Sequence, residues 1–558
     1  MHIIPRHLII AAALPLAACL AAVMPAASVQ AQQAPDAGRT LQELRPRLPQ
    51  PGTPPAFRLD APVVQPTAPG GPQVAVSSII IDGNSVIPSA QLQALVADAP
   101  GRRYDLAGLK ALADRITDHY RRAGYPFARA LVPAQELEGG VLRIQVLEGR
   151  YGRVAASGEL AGQAQPWLSA LRPGQVIGGR ELERSIYLLS DLPGVAVDPV
   201  MGPGSAVGEG DLDVGVAMAR KWGGQASVDN YGNRYTGAGR AGLGLWGNSL
   251  FTFGDRATLD ALLTTETMWL GALGYEAPLG TSGLRAEARF AHTRYELGKE
   301  FSSPNATGRA DIAAVGLSYP LWRAAWGGVT AGLLYQHKTL RDDIEAADSR
   351  TKASSDSLPF SLRFDARDSL LAGLGGLTYG QLSWTPGKLH LGPTLMAVDQ
   401  ATARSNGHFH KLNLDVARLQ QLPANLNLYA RFMAQWANKN LHSSESFGLG
   451  GQGGVRAYPL GEGYGDSGWL LQTELRYPIG NVTPYGFFDI GRVKVNQDPW
   501  APGENTRTLS GAGFGLRATV QKAWTVDVSL AWRTHGGKPR SDTRDARPLA
   551  WASLVYRF

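Results

Sequence analysis

The sequence predicts two fold classes in series: a pair of small tandem α+β domains, then one large antiparallel β domain closed into a transmembrane barrel. Three observations predict it. A β-α-α-β-β order of apolar periodicities occurs twice before Arg220, at a spacing of about 70 residues. Past Arg220 helical periodicity stops, and segments of about ten residues alternate apolar and polar between Gly, Asn, Asp and Pro. The chain also opens on an export signal, and no later apolar run is long enough for a spanning helix.

The first 33 residues, "MHIIPRHLIIAAALPLAACLAAVMPAASVQAQQ", have a short basic start, an apolar run and a small-residue cleavage site, Val29-Gln30-Ala31. Residues 1–31 are therefore expected to be a secretory signal peptide. Leu16-Ala17-Ala18-Cys19 has the form of a lipoprotein processing site, but the apolar run continues to Ala27, where a lipidated Cys would begin a polar tether. Cys19 is the one cysteine, so the mature chain is expected to be stabilised without disulfides in an oxidising compartment. A content of 67 Gly, 13 Trp and 18 Tyr with 18 % charged residues is turn-rich and aromatic-rich, unlike a disordered chain. The net charge of +7 comes with no aromatic–basic module for nucleic acid, which is not an expected partner.

Within residues 32–48, "DAGRTLQELRPR" predicts a short helix with Leu41 and Leu44 on one side, ended by Pro46. Residues 49–72 are dense in Pro and Gly and predict an extended tether with no core of its own, which carries that helix to a distant docking place.

The first α+β domain is expected over residues 73–150. "VAVSSIIIDGNSVI" is a strand and turn, and "PSAQLQALVADA" is helical. "YDLAGLKALADRITDHYRRAG" is a second helix, capped by Asp105, stopped by Gly124, with Leu109, Leu112, Ile116 and Tyr120 as its buried stripe. "YPFARALVPAQ" and "GVLRIQVLEG" follow as strands, the latter alternating Leu142, Ile144 and Val146 with Arg143 and Gln145. The second domain, residues 151–220, repeats the order and closes with "GDLDVGVAMAR", where Leu212, Val214, Val216 and Met218 alternate.

Residues 221–558 hold roughly sixteen alternating segments, too many for one sandwich and within the range of outer-membrane barrels. In "SGWLLQTELRYP" one face is Trp469, Leu471, Thr473, Leu475 and Tyr477, and the other carries Gln472, Glu474 and Arg476. In "WTVDVSLAWR" and "LPFSLRFDAR" charges again oppose the apolar face, as when one face meets lipid and the other a wet lumen. The chain ends "LAWASLVYRF", with Leu554, Tyr556 and Phe558 on one face, a terminal aromatic pattern expected to signal barrel assembly and closure.

No motif argues for catalysis, and no cofactor or metal site is expected. Gly465-Asp466-Ser467-Gly468 has the form of a serine-protease nucleophile loop, but Ser467 runs straight into an alternating strand and no His lies in the setting of a base. Gly448, Gly450 and Gly453 form a GxGxxG without the strand and helix that give it phosphate-binding geometry. His408 and His410 alternate on a strand, with no third ligand indicated. That leaves Arg456, in "GGVRAYP". If the loop from about Ser443 to Gly468 enters the lumen, Arg456 needs a buried carboxylate. Asp489, in "YGFFDIGRV", points inward if Phe488 and Ile490 face lipid. If the loop is extracellular, Arg456 lies in solvent; composition and spacing leave both readings open.

These stretches resemble the outer-membrane transporters of two-partner secretion (the TpsB family) over essentially the whole mature chain. "DHYRRAGYPFARALVPAQ" with "GVLRIQVLEG" resembles the family's first POTRA domain, "LLSDLPGV" the second, and "DNYGNRYTGAGR" the first barrel hairpin. "GGVRAYP", carrying Val455, Arg456, Ala457 and Tyr458, is similar to the inward-folded loop, with Ala457 where the family has Gly; "FFDIG" is similar to the strand whose Asp pairs with the loop Arg. The resemblance implies two POTRA domains, a sixteen-stranded barrel, a lumen plug helix and an Arg456–Asp489 pair. Ala457 is a departure that would matter if the tip needed φ > 0. It further implies export of a large β-helical exoprotein, captured unfolded in the periplasm, with outer-membrane lipid and the barrel-assembly machinery as other partners. An extended substrate can add to a POTRA edge, for which Tyr125 to Val132 is the candidate, with Tyr125, Phe127, Ala128, Leu131 and Val132. The alternative within the same superfamily is a factor that assembles outer-membrane proteins.

Overall fold

A computed structural model describes residues 36–43, 48–52, 54–59, 68–303, 305–371 and 373–558. The segment expected to be a signal peptide, residues 1–31, and Leu44 of the expected plug helix lie outside the described residues. The chain builds two α+β domains, a closed barrel, and an N-terminal helix, Ala37–Glu43, inside the barrel.

In the first α+β domain, Ser78–Asp82 pairs parallel to Val141–Leu147, and Arg129–Leu131 pairs antiparallel to the same strand as an edge. The helix Leu106–Arg122 packs on this sheet because Leu109, Leu112, Ile116 and Tyr120 recur on one face and are buried. Asp105 Oδ1 accepts the Gly108 amide at 2.8 Å, satisfying one of the first-turn donors, and Gly124 follows the helix at φ 94°, a conformation open to glycine.

Several elements differ from the sequence expectation. The first strand is split into Val74–Val76 and Ser78–Asp82, and the former pairs with an unexpected strand, Arg102–Tyr104. The first helix is only Ser89–Ala94. The predicted strand Tyr125–Val132 is reduced to Arg129–Leu131: Pro126 has no amide to donate, and the chain is still turning after Gly124, with Ala128 N bonded to Tyr125 O.

The second domain has sheet order Arg58–Leu59, Val195–Pro203, Glu209–Met218, Arg150–Ser157. Leu212, Val214 and Val216 point into its core, with the helix Gly179–Ser190 across them. The tether contributes Arg58–Leu59 as a parallel strand, so that part of it belongs to a sheet. The same helix rests on the periplasmic end of barrel strand Ala306–Ala324: Arg323 Nε donates to Asp191 Oδ2 at 2.7 Å, and Arg184 Nη1 to Pro320 O at 3.0 Å.

The barrel is closed by Trp222–Asp229 pairing antiparallel with Leu549–Arg557. Closure leaves no sheet edge in hydrocarbon, the condition for a β structure to span a bilayer. Seventeen strand pieces lie around it, but Ser349–Ser357 and Phe360–Leu371 are halves of one stave broken at Leu358–Pro359, since each pairs with both Gly327–Ile344 and Leu374–Leu391; the barrel is sixteen-stranded. The predicted alternation places Leu475, Tyr477, Val526 and Val528 outside and Gln472, Glu474, Asp527 and Ser529 inside. Phe558 pairs with Gly224 through both backbone groups, at 3.1 and 3.0 Å, with its ring laid over that glycine. Tyr556 packs on Trp524.

Candidate functional site

Between strands Asn427–Ala437 and Ser467–Arg476 the chain does not make a surface turn but folds into the lumen. The loop is stiffened by a small internal hairpin, Phe447–Gly448 with Tyr464–Gly465, and by Val455 N bonded to Leu449 O at 2.7 Å. Its apolar residues Phe447, Leu449, Val455 and Tyr458 make a core with Leu470, Phe487, Val493 and Leu509 of the inner wall. Burial of these side chains is the driving force that draws a Gly-rich segment inward.

At the tip, Arg456 is 2 % exposed and Asp489 0 %. Arg456 Nε and Nη2 donate to the two carboxylate oxygens of Asp489 at 2.9 and 2.7 Å, the two-pronged geometry that a guanidinium allows and an ammonium does not. The Arg456 amide donates to the same carboxylate at 3.1 Å. Nη1 donates to Glu474 Oε1 at 2.5 Å, and Arg476 Nε donates to the other oxygen of Glu474 at 2.8 Å. Two guanidinium groups thus face two carboxylates, and the cluster is neutral. The Arg456 guanidinium carbon lies 3.7 Å from the Phe487 ring centroid, a cation–π contact. Trp551 Nε1, on the closing strand, donates to Arg456 O at 2.7 Å, and Tyr458 donates its hydroxyl to the carbonyls of His535 and Gly537. The tip is therefore held by hydrogen bonds to four different strands or their ends.

Of the partners expected from sequence, the structure brings Arg456 and Asp489 together. Glu474 and Trp551 are partners that sequence reading missed. Glu474 was legible as an inward residue, but its diagonal approach to Asp489 follows from register: Gln472 is opposite Asp489 and Glu474 opposite Phe487. Ala457 is absent from the residues with positive φ, so its replacement of Gly leaves the tip backbone unstrained. Its methyl group instead meets Gly511, where a Cβ would overlap it.

The protease-like tetrapeptide is structural. Ser467 Oγ accepts the Ala437 amide at 3.0 Å and is 3.1 Å from Gln497 Oε1, while Asp466 accepts the amides of Leu441 and Gln497. His408 and His410 lie on the exposed face of strand Gly407–Gln421, His410 stacked on Trp384. No group of three or more metal-ligating side chains occurs among the described residues.

A second lumen element faces the loop. The helix Ala37–Glu43 brings Ala37 and Leu41 into an apolar cluster that includes Tyr295, Ala310 and Leu340 of the barrel wall, and Ala37 N donates to Asp342 Oδ1 at 2.9 Å. Gly38 touches the loop's root at Ser443–Ser444, so loop and helix meet inside the barrel. Beside that contact, Glu445 is buried between Lys338 Nζ and Lys411 Nζ, each at 2.5 Å, a triad that no motif announced. The tether continues past Leu48 and Gln50, along a lumen cavity of about 420 Å³ lined by Arg431, Arg476, Arg517 and Tyr429, and the Gly52 carbonyl accepts from Arg367.

The candidate POTRA edge is used largely within the protein. Ala128 and Val132 pack in the first domain's core, and Phe127 packs on the second domain's core. The outward amide of Ala130 donates to Thr117 Oγ1 at 2.9 Å. Where the two domains join, Glu148 accepts from the amides of Ser85 and Val86 at 2.6 and 2.8 Å, from the Ser85 hydroxyl, and from Tyr120 Oη at 2.9 Å. Burial raises the Glu148 carboxyl, but these four donors outweigh it and hold the group below the usual glutamate value. Burial, with Glu148 beside it, raises Tyr120. Arg150 reaches from Ser85 to the Gly174 carbonyl of the second domain.

Residues 208–518 match the haemolysin secretion/activation protein ShlB/FhaC/HecB family, and residues 74–149 match the ShlB-type POTRA domain. The haem/hemopexin transporter protein HuxB of Haemophilus influenzae (strain 86-028NP) is 27% identical over 100% of both chains. The outer membrane transporter CdiB of Escherichia coli O6:K15:H31 (strain 536 / UPEC) is 27% identical over 83% of this chain and 80% of its own. The solved structure of CdiB from Escherichia coli shares the fold, with a TM-score of 0.71 at 22% identity over 90% of this chain and 94% of that one. With POTRA domains at the periplasmic end of a closed barrel and an arginine loop inside it, the chain belongs to the ShlB/FhaC/HecB family of outer-membrane two-partner secretion transporters, which export a secreted exoprotein.

Proposed function

We propose that this transporter captures a large β-helical exoprotein as an extended chain in the periplasm, passes it through the lumen, and releases it to fold outside. The observation that carries this reading is what fills the lumen. Helix and loop are seated there by hydrogen bonds, ion pairs and modest apolar patches, and neither is part of the barrel sheet. Such elements can leave or shift without opening the barrel wall. In this reading residues 32–48 act as the plug, residues 49–72 as its tether, residues 73–150 and 151–220 as the POTRA domains, and residues 221–558 as the conduit. Folding outside the cell supplies the drive, and the transporter itself performs no chemistry. In this reading first capture falls to the segment Tyr125 to Val132 through the edge strand Arg129–Leu131, where an incoming chain has to displace the bond between the Ala130 amide and Thr117. Leu554, Tyr556 and Phe558 direct insertion by the barrel-assembly machinery, and Phe558→Ala is expected to lower the outer-membrane yield; an unchanged yield would remove Phe558 from that role.

The deciding experiment expresses the cognate exoprotein with and without this chain and assays the culture medium. Exoprotein in the medium only when the chain is present supports export. Unchanged secretion with failed assembly of other outer-membrane proteins would favour the insertion-factor reading.

A further inference from the structure

The outer face of the barrel carries a row of four cations on four adjacent strand pieces, Arg285–Glu296, Ala306–Ala324, Gly327–Ile344 and Ser349–Ser357. In their register Arg294 is opposite Arg309, Arg309 opposite Arg341, and Arg341 opposite Lys352. Their chain neighbours Tyr295, Ala310, Leu340 and Ala353 are buried in the lumen cluster around Ala37. By the two-residue alternation of a strand, the four cations therefore point away from the lumen. Arg294, Arg309 and Lys352 are exposed and Arg341 is half-buried. Among the described residues none of the four has an ion-pair partner.

Like charges directly opposite one another destabilise a sheet, so this row calls for an anionic counterpart. The nearest outward carboxylates are engaged elsewhere. Asp311 Oδ1 lies 2.6 Å from His292 Nδ1, and Asp356 Oδ1 lies 2.8 Å from His337 Nδ1 and accepts the Tyr335 hydroxyl at 2.7 Å. The next row out is mixed in sign, with Asp343 opposite Arg350. Arg323, near the other end of Ala306–Ala324, binds the periplasmic second domain, so the cations lie at the extracellular end. Their row begins at Trp269, which is exposed and opposite Arg294, and the exposed Val315 and Tyr335 lie on the same strands toward the bilayer. The cations thus stand at the aromatic belt, the level of the outer-leaflet headgroups. A row that begins at Trp469 reads Arg492 and then Thr508, a single cation.

We propose that Arg294, Arg309, Arg341 and Lys352 form a docking site for the phosphorylated headgroup of an outer-leaflet glycolipid. Planar guanidinium groups take phosphate oxygens through paired hydrogen bonds, and Lys352 adds a point charge. Three inter-strand steps span about 14 Å, room for two phosphate groups of one headgroup. Lipid is the occupant because these side chains stand on the outside of the wall, directly beyond residues that meet acyl chains, and a basic cluster there attracts anionic headgroups. An exported chain passes on the other side of that wall. The same strands seat the helix Ala37–Glu43 on their inner face, so a bound headgroup ties together the wall behind that seat. The inference needs the outer-membrane placement and not the capture reading.

The test measures binding of bisphosphorylated lipid A to the purified full-length protein in detergent micelles. Dephosphorylated lipid A with the same acyl chains, inorganic phosphate and a polyglutamate peptide serve as comparison probes. Barrel integrity is read from heat-modifiable gel mobility, and the single variants Arg309→Gln and Arg341→Gln are measured beside the double one. The expected result is that Arg309→Gln/Arg341→Gln binds bisphosphorylated lipid A about tenfold more weakly than wild type, whereas Arg492→Gln binds it as wild type does. Dephosphorylated lipid A should bind wild type about as weakly as the double variant binds the phosphorylated form, and inorganic phosphate at equal concentration should not compete. Equal affinity of wild type and the folded double variant, or equal affinity for lipid A with and without its phosphates, would overturn the proposal. So would an equal loss in Arg492→Gln, which would mean unspecific surface charge. Competition by inorganic phosphate would give the site to the free ion. Binding of polyglutamate in preference to lipid A would give it to an acidic protein segment, and either result overturns the lipid assignment.

Discussion

Asp489→Asn removes a charge from the lumen cluster while keeping the shape of the side chain. In the native protein Asp489 takes two guanidinium bonds and one amide bond from Arg456, at 0 % exposure. Breaking a buried ion pair by removing one partner typically costs about 3–5 kcal/mol, because the remaining charge is left desolvated. Arg456 keeps Glu474 at 2.5 Å and its place over Phe487, which puts the cost at the lower end, about 3 kcal/mol. At about 1.4 kcal/mol per decade, the ratio of docked to undocked loop falls roughly a hundredfold. The scissile bond after Arg456 reports this directly. It is protected while Arg456 is buried and its carbonyl is held by Trp551, so trypsin can cut there only in the undocked state. With fast reclosing, cleavage follows the undocked population, and a new N-terminus at Ala457 should appear roughly a hundredfold faster in the variant. Cleavage within threefold of wild type, in a barrel that still inserts, would refute the claim that this pair holds the loop. Arg456→Ala should cut export while the barrel inserts, and the Arg456→Ala/Asp489→Ala double variant should be no worse than either single one.

Three further outcomes are expected. Gly511→Ala drives its new Cβ into Ala457 and should expose the loop to trypsin, with Ala457→Gly restoring much of the protection. Gly38→Ala places a Cβ 2.5 Å from the backbone nitrogen of Ser444, too close for any real contact, so the helix should leave its seat and single-channel conductance in planar bilayers should rise. Glu148 titrates below the usual glutamate value in the folded domain, so its contribution to stability is present above that value and is lost as pH falls through the folded one. The stability difference between wild type and Glu148→Gln, followed by hydrogen exchange in helix Leu106–Arg122 of the full chain, should be constant near neutrality and shrink as pH falls below the ordinary glutamate value.

Much of the fold was legible because it rests on local periodicity. The stripe Leu109, Leu112, Ile116 and Tyr120, the cap at Asp105 and the two-residue alternation of the barrel strands are each written within a dozen residues and appear as expected. Where the chain departs from the expectation, a nonlocal term decided. Residues Tyr125–Ala128 read as strand but turn at Pro126, and Phe127 packs on the neighbouring domain, a contact that no local pattern marks. The proline-rich tether read as having no partner, yet Arg58 and Leu59 join a sheet whose edge lies more than 130 residues away in sequence.

The order of two small α+β domains before a barrel, and which side of each strand is polar, were legible in the sequence because they follow from the spacing of side chains along a single element. The sequence also singled out Arg456 and Asp489. Tertiary structure alone decided that Glu474 and Trp551 complete their site, that Ala457 is accommodated by the missing side chain of Gly511, and that Glu445 is shared by Lys338 and Lys411 beside the helix. These depend on strand register and on where a loop packs inside a closed barrel, which are set by summed burial and pairing over the whole sheet and leave no mark in the spacing of any one segment.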